Sequence, residues 1–144
     1  MTNANVELII SYYEAFNARD FDAYDEKFAQ DVSFESVGGV AGTGVATVKF
    51  FDQIWTKAMS DFKVVGGYHL GDGDRVVCHN RATGTHDGLL LLPDGSEVPA
   101  TGNRLDAPYF ASFELRDGKI VSELIYFDRM LLIEQLQLQP AAAA

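Results

Sequence analysis

The sequence has little of what disulfide-linked, thiolate-metal and nucleic-acid-binding proteins require. Its single cysteine, Cys78, cannot form an internal disulfide and cannot build a thiolate metal site alone. Eleven lysines and arginines stand against 21 aspartates and glutamates, a formal net charge of -10, and we find no basic cluster. Because such a surface repels phosphate backbones and anionic lipids, we expect neither a nucleic-acid partner nor a membrane partner.

Long apolar runs and leader-like features are also missing. The longest uncharged apolar run, residues 88–93, is much shorter than a bilayer span. No basic segment precedes the first apolar stretch, and Glu7 lies inside that stretch, so the sequence predicts no signal peptide. Together with the lone cysteine, these features predict a cytoplasmic protein.

The rest of the composition is typical of a folded domain. Hydrophobic residues make up 47% of the 144 residues and aromatic residues 12%, which is too apolar for a disordered chain. No repeat, low-complexity block or linker divides the sequence. We therefore predict a single domain over residues 1–144, with its core at about 6–136 and a loose tail at 140–144.

The first half of the chain has helical spacing. Apolar residues recur at intervals of three and four from Val6 to Asn17 and again from Val45 to Met59. Asn3 or Asn5 can cap the first of these helices, and Asp20 can cap a short helix that follows it. A short strand and a glycine-rich loop are predicted before the second long helix.

The second half has the pattern of a sheet. Four strands are predicted, at residues 62–70, 75–86, 109–115 and 119–128. Turns rich in aspartate and glycine are predicted at residues 71–73, 93–95 and 117–118. Helices followed by antiparallel strands indicate an α+β fold, in which the helices cover one face of a curved sheet.

Strand alternation selects the candidate site residues. On the last strand it predicts an inward face made of Ile120, Ser122, Leu124, Tyr126 and Asp128. On the strand at 75–86 it places Asn80 and His86 inward. A carboxylate on an apolar wall is desolvated, which raises its pKa and lets it act as a general acid or base near neutral pH. A histidine and an amide beside it can polarise a carbonyl.

Each of these polar residues also has a structural interpretation. Asp128 ends its strand and can cap a helix that begins near Met130, while His86 and Asn80 can be hydrogen-bonded parts of the interior. The three histidines follow no metal-ligand pattern, and no dinucleotide-binding or nucleophile motif occurs. We therefore expect no metal and no cofactor.

Several short segments occur in an order and spacing that is more specific than any one of them. They include Tyr-Tyr-Glu-Ala-Phe-Asn at 12–17, Phe-Asp-Gln-Ile-Trp at 51–55, Gly-Thr-His-Asp-Gly at 84–88, Asp-Gly-Lys-Ile at 117–120 and Phe-Asp-Arg at 127–129. Together, over about residues 6–136, they resemble the SnoaL-like polyketide (ester) cyclases of the nuclear-transport-factor-2-like (NTF2-like) superfamily.

This resemblance implies a cone-shaped, cystatin-like fold in which N-terminal helices and a curved antiparallel sheet enclose a central apolar pocket. It implies that Asp128 is the acid/base of an intramolecular aldol ring closure that uses no metal or cofactor, with His86 as a second catalytic candidate. The candidate substrate-binding residues are Asn80, Tyr12, Trp55, Tyr126 and Tyr109. A homodimer formed through the outer face of the sheet is also implied.

The sequence departs from the family pattern after Gly88, where apolar residues and a Pro-Asp-Gly turn replace the usual polar loop. Two related enzyme types fit less well. Ketosteroid isomerases are matched at Tyr12, but Ser36 and Ala111 stand where those enzymes carry their acidic residues. Limonene-epoxide hydrolases need an Asp-Arg-Asp set, and Arg81 is predicted to face outward.

The sequence leaves three functions open. The first is a cofactor-independent acid/base enzyme that cyclises or isomerises a small apolar carbonyl compound. The second is a non-catalytic module whose pocket binds a small hydrophobic ligand, and the third is a structural dimer module. The fold hosts enzymes and binding proteins alike, so the decision depends on the site.

Overall fold

The chain begins with a helix whose start is fixed by an asparagine cap. In the computed structural model, which describes residues 3–138, helix α1 spans Ala4–Asn17. The side-chain oxygen of Asn3 accepts hydrogen bonds from the backbone N–H groups of Asn5 (3.0 Å) and Val6 (3.2 Å). These groups have no partner within the helix itself, so the cap satisfies them. The predicted cap at Asn3 is confirmed.

A short helical segment and a longer helix follow α1. Asp20 caps a 3₁₀ turn at Phe21–Ala23, as predicted, by accepting a backbone hydrogen bond at 3.3 Å, and helix α2 (Tyr24–Lys27) continues from it. Helix α3 spans Val45–Ala58, and its buried face carries Asp52 among apolar side chains. A carboxylate on the buried face of a helix needs hydrogen-bond partners from neighbouring elements.

Strands and one last helix make up most of the remaining described chain. They are β1 (Phe28–Ser36), β2 (Ala41–Thr43), β3 (Lys63–Asp72), β4 (Arg75–Thr85), β5 (Leu90–Leu91), β6 (Glu97–Val98), β7 (Arg104–Arg116), β8 (Lys119–Phe127) and α4 (Arg129–Leu136). The large sheet has the order β2–β1–β8–β7–β4–β3, and β5 pairs with β6 in a separate hairpin.

The large sheet is mixed, whereas the sequence predicts an antiparallel one. All its neighbouring strands are antiparallel except β1 and β8, which are parallel. A parallel pair needs a long connection, and most of the chain lies between these two strands. Helix α1 packs against β3 and β4, α3 against β1, and α4 against β7. The α+β plan with helices on a curved sheet is confirmed.

Aromatic side chains dominate the interior between the helices and the sheet. Tyr12, Tyr24, Phe28, Phe34 and Phe113 are each at most 1% exposed. The ring of Tyr12 meets those of Phe28 and Tyr24 edge to face, with centroids 5.0 and 5.2 Å apart. Such contacts fix ring orientation as well as burying apolar area. The hydroxyl of Tyr12 is therefore held in one place.

A β-bulge interrupts the last strand. Glu114 of β7 lies opposite Ser122, but Leu115 lies opposite Ile120, so Val121 is an extra residue on β8. An extra residue reverses the inward and outward alternation of every position beyond it. Beyond Val121, the positions of β8 that simple alternation predicts to face outward therefore face inward, and the reverse.

Beyond the bulge, Glu123 and Ile125 are the buried residues of β8. The prediction that Ser122, Leu124 and Tyr126 form an inward face is wrong for this reason. Tyr126 is 54% exposed on the outer face of the sheet. Asp128 is also exposed and lies one residue past the end of the strand.

The predicted faces of β4 are confirmed. Its pairing with β7 runs without a shift from Arg75 to Thr85, so the simple alternation holds along the strand. Cys78 and Asn80 are buried, and so is His86 just beyond the strand end. The sequence identifies the inward residues correctly here because β4 itself has no bulge, and the extra residue of the β3–β4 ladder, Gly67, lies on β3.

Two of the three predicted turns are confirmed, at residues 93–95 and 117–118. The first hairpin turn lies at residues 73–74 instead of 71–73, because β3 extends to Asp72. The predicted tail at 140–144 lies outside the described residues. No helix within residues 3–138 has the length and apolar character needed to cross a membrane.

Candidate active site

A small apolar pocket lies between the helices and the inner face of the sheet. Its volume is about 60 Å³, which is room for about two water molecules. Its walls include the side chains of Tyr13, Phe16, Phe51, Trp55, Phe62, Leu105, Ile125 and Phe127. Among the described residues, three carboxylates also line it, and they belong to Asp52, Glu123 and Asp128.

Asp52 is held by two tyrosine hydroxyls. Helix α3 presents its side chain to the interior, where it is 4% exposed. Tyr12 on α1 donates a hydrogen bond to Asp52 Oδ2 at 2.8 Å, and Tyr24 on α2 donates to the same oxygen at 2.7 Å. No hydrogen bond from a described residue reaches Oδ1. One carboxylate oxygen is therefore anchored, and the other is free to act on a ligand.

Burial raises the pKa of Asp52 to about 7, because the charged form loses its hydration in the apolar interior. The hydrogen bonds from Tyr24 and Tyr12 act in the opposite direction, since they stabilise the carboxylate. Burial and the charge of Asp52 in turn raise the pKa of Tyr12 well above its usual value, so this hydroxyl keeps its proton. Asp52 is then able to gain and lose a proton near neutral pH.

Glu123 is the second buried carboxyl group of the pocket. The bulge in β8 turns it inward, and it is 1% exposed. Its Oε2 lies 3.4 Å from the Tyr12 hydroxyl, and its Oε1 has no hydrogen-bond partner among residues 3–138. Burial and the charge of Asp52 raise its pKa well above the usual value. Glu123 is therefore a neutral carboxylic acid next to a carboxyl group that titrates.

Further polar groups border the same cluster. The hydroxyl of Tyr13 lies near that of Tyr109, and burial raises its pKa. The side-chain amide of Asn80 donates to the Tyr109 hydroxyl at 3.3 Å, and the Asn80 oxygen is unpaired within residues 3–138. Burial raises the pKa of Tyr109 as well. Both hydroxyls remain protonated, and they can donate to a ligand oxygen.

A comparison with protein families identifies the chain. Residues 9–123, which are most of the sequence, match the family model of the SnoaL-like domain. The chain belongs to the SnoaL-like domain family. This finding confirms the resemblance to the SnoaL-like group of the NTF2-like superfamily.

Solved structures share the fold of this SnoaL-like domain. A protein from Jannaschia sp. CCS1 described as a SnoaL-like polyketide cyclase has 24% identity and a TM-score of 0.83, over 95% of this chain and 94% of that one. IdmH from Streptomyces antibioticus, described as a polyketide cyclase, has 24% identity and a TM-score of 0.76, over 93% and 99%.

An epoxide hydrolase of the LEH-like type from M. tuberculosis is also similar. It has 19% identity and a TM-score of 0.71, over 93% of this chain and 90% of that one. At these identities the similarities establish the fold alone. No curated protein matches the sequence.

The SnoaL-like domain brings four of the predicted site residues together. Tyr12, Trp55 and Tyr109 line the pocket, and Asn80 contacts it through its hydrogen bond to Tyr109. They come from α1, α3, β7 and β4, and all four carry aromatic or amide side chains. Their predicted role as substrate-binding residues stays a prediction.

His86 and Tyr126 are not part of the pocket lining. His86 is fully buried, with Nδ1 3.0 Å from Thr101 Oγ1 and its backbone N–H bonded to Asn103 at 2.9 Å. These contacts tie the end of β4 to the loop before β7. Tyr126 lies on the outer face because of the bulge at Val121.

Asp128 lies at the exposed side of the pocket and caps α4. Its Oδ1 accepts a hydrogen bond from the Leu131 backbone N–H at 3.2 Å. The structural interpretation of this residue is thus confirmed, and its side chain also borders the pocket. Its predicted acid/base role stays a prediction.

Sequence reasoning missed Asp52 and Glu123. A signal for Asp52 is present in the sequence, because it interrupts the apolar stripe of α3 between Val48, Phe51 and Trp55. Glu123 gives no such signal, since its orientation depends on the bulge. Among residues 3–138, no three His, Cys, Asp or Glu side chains come together as a metal site requires.

The raised pKa of Asp52 predicts how the stability of the SnoaL-like domain changes with pH. The folded chain keeps a proton on Asp52 up to about pH 7, whereas the unfolded chain releases it near 3.8. The contribution of this proton to the free energy of unfolding is fully present below about pH 4, and it is lost as the pH rises through about 7. In urea unfolding, the free energy of unfolding of wild type is expected to fall by about 2–3 kcal/mol relative to that of Asp52→Asn as the pH is raised from 5 to 8.

Asp128→Asn is the matched control, because asparagine also caps helices and the residue is exposed. Its unfolding free energy is expected to follow that of wild type across the same pH range. Parallel curves for wild type and Asp52→Asn would contradict a raised pKa at Asp52.

Proposed function

We propose that this SnoaL-like domain is a cofactor-independent acid/base enzyme of the polyketide cyclase type. It would catalyse an intramolecular aldol-type cyclisation, or an isomerisation, of a small apolar carbonyl compound. The observation that carries the proposal is the pairing of two buried carboxyl groups in one apolar pocket. Asp52 titrates near neutral pH, Glu123 stays neutral, and Tyr12 lies between them.

In this mechanism Asp52 is the general base. As a carboxylate it takes a proton from the carbon next to the substrate carbonyl, through the Oδ1 atom that Tyr12 and Tyr24 leave free. The apolar walls exclude water, which keeps the carboxylate weakly solvated and more basic. The electron pair of the broken C–H bond then forms an enolate.

Glu123 is the electrophilic partner in the same mechanism. As a neutral acid with an unpaired oxygen, it donates a hydrogen bond to the oxygen on which the enolate charge develops. In an isomerisation, protonated Asp52 returns its proton to another carbon. In a cyclisation, the enolate carbon attacks a second carbonyl of the same molecule, and the new alkoxide takes that proton.

Two similar structures are described as polyketide cyclases, which agrees with the proposal. Asp128 borders the pocket and is the alternative acid/base candidate. His86 would act only through other groups, because it does not line the pocket.

We also propose a cytoplasmic location, because the single, buried Cys78 suits a reducing compartment.

Deuterium exchange tests the proposed chemistry directly. Wild type is expected to incorporate deuterium from D₂O at the carbon next to the carbonyl in a panel of small apolar ketones and β-diketones, followed by NMR. Asp52→Asn is expected to lower the rate by at least about 100-fold, the typical contribution of a general base. The wild-type rate is expected to rise with pH through about 7, as Asp52 loses its proton.

Asp31→Asn, an exposed change of the same kind on β1, is the matched control and is expected to keep the wild-type rate. Exchange that survives in Asp52→Asn but is lost in Asp128→Asn would transfer the acid/base role to Asp128. Ligand binding without exchange in the wild type would favour the non-catalytic binding module.

We also propose that the chain forms a homodimer through the outer face of the large sheet. That face exposes Tyr68, Leu70, Val77, Phe110 and Tyr126. The rings of Tyr68, His79 and Phe110 form a continuous row of tilted contacts, with centroids 5.2 and 4.7 Å apart. An exposed apolar surface of this kind is typical of an interaction site.

The charges on this face favour a second copy of the chain as its partner. The outward positions of β3, β4 and β7 carry five basic residues (Lys63, Arg75, Arg81, Arg104, Arg116) and three acidic ones (Asp72, Asp106, Glu114). The whole chain has 11 basic against 21 acidic residues. Two copies therefore repel each other least when they meet here.

Light scattering after size exclusion tests the dimer. Wild type is expected at twice the chain mass, and Phe110→Glu at the monomer mass, because a charge enters the centre of the apolar face. Met130→Glu, an equally drastic change at an exposed site on α4, is expected to leave the mass unchanged. A monomeric wild type, or a dimeric Phe110→Glu, would contradict the proposal.

A further inference from the structure

A second and larger cavity, the outer cavity, lies beside the pocket that holds Asp52 and Glu123, the inner pocket. Its volume is about 540 Å³, which is within the usual range for ligand sites of about 300–1,000 Å³. It lies between α3, the β5–β6 hairpin and α4, and apolar side chains form most of its walls. These include Phe50, Ile54, Leu90, Leu92 and Ile133.

The outer cavity and the inner pocket share part of their walls. Phe51, Trp55, Phe127 and Leu132 line both. The rings of Trp55 and Phe127 meet edge to face, with centroids 5.8 Å apart and planes at 89°. The inner pocket, at about 60 Å³, holds only the reacting end of a substrate. A substrate too large for the inner pocket can place its body in this adjoining outer cavity.

Arg129 brings a positive charge to this otherwise apolar cavity. It donates one hydrogen bond, from Nη2 to the Val37 carbonyl oxygen at 3.3 Å, and no described carboxylate pairs with it. The guanidinium lies over Gly38 and Gly39, where an added Cβ would come within 3.0 and 2.9 Å of Nη2. Gly38 also has a φ of +78°, which favours glycine.

Two other polar residues border the cavity, and neither neutralises this charge. The Asp94 carboxylate accepts a hydrogen bond from the Ser96 backbone N–H at 2.9 Å, within its own turn. Ser36 carries no charge. Among the described lining residues, Arg129 is therefore the only cation, and most of its N–H groups are free for a ligand.

We propose that the outer cavity binds the apolar body of a carboxylate-bearing substrate, whose carboxylate Arg129 holds. A guanidinium pairs with a carboxylate through two parallel hydrogen bonds, which suits a fixed group at the end of an apolar cavity. This proposal rests on the proposed function, because the carbonyl end of the same substrate would lie in the inner pocket, on the other side of Trp55 and Phe127. The substrate class is then an apolar keto acid.

Binding of decanoate and of 1-decanol, which differ in their charge, tests this assignment. Trp55 is the chain's only tryptophan and lines both cavities, so its fluorescence reports occupancy. Wild type is expected to bind decanoate at least tenfold more tightly than 1-decanol. Arg129→Gln is expected to weaken decanoate binding at least tenfold and to leave 1-decanol binding unchanged. Arg129→Lys is expected to restore part of the difference, because the charge returns without the paired hydrogen bonds.

Equal dissociation constants for decanoate in wild type and Arg129→Gln would overturn the proposal, and so would an absence of decanoate binding to wild type. Thermal unfolding of each variant confirms that it is folded. Asp52→Asn separates this proposal from the catalytic one, since it is expected to bind decanoate as wild type does. Carboxylate binding that persists where deuterium exchange fails would support the cavity assignment and refute only the catalytic chemistry.

Discussion

Two tyrosine hydroxyls hold one buried carboxylate, and the candidate site depends on that contact. Burial of a carboxylate costs on the order of several kcal/mol unless hydrogen bonds replace its hydration. Tyr12 and Tyr24 provide those bonds to Asp52 at 2.8 and 2.7 Å. Because the three residues lie on α1, α2 and α3, the contact also fixes how these helices meet. Loss of either hydroxyl would remove one of the two hydrogen bonds that compensate the burial of this charge.

The same contact assigns different roles to the two carboxyl groups. Two carboxylates in one apolar site cannot both be charged at little cost, so one of them keeps its proton. Asp52 receives both tyrosine hydrogen bonds, whereas Glu123 has only the more distant Tyr12 oxygen, at 3.4 Å. Asp52 is therefore the group that ionises more readily, and Glu123 is the neutral acid. A base and an acid arise in one pocket from the placement of two hydroxyl groups.

The sequence predicts the fold better than the site. Helix spacing, the Asn3 cap and the strand at 75–86 depend on local chemistry, and the structure confirms them. The site depends on the register of β8, which the extra residue Val121 reverses, and alternation alone cannot reveal a bulge. The inward orientation of Glu123 therefore could not be predicted from the sequence, and the prediction that Tyr126 faces inward is wrong. The family resemblance predicts the correct superfamily, but it predicts an acid/base residue at the strand end and none on α3.

The central claim is that the buried carboxyl group of Asp52 exchanges its proton near neutral pH in an apolar pocket. Carboxyl-carbon NMR titration of wild type, with the Asp52 signal assigned by its absence in Asp52→Asn, tests that claim most directly. A midpoint near pH 7 is expected, because burial raises the pKa of this group more than the tyrosine hydrogen bonds lower it. A midpoint at or below the ordinary value of 3.8 would contradict the account, since Asp52 would then be a permanently charged structural anchor.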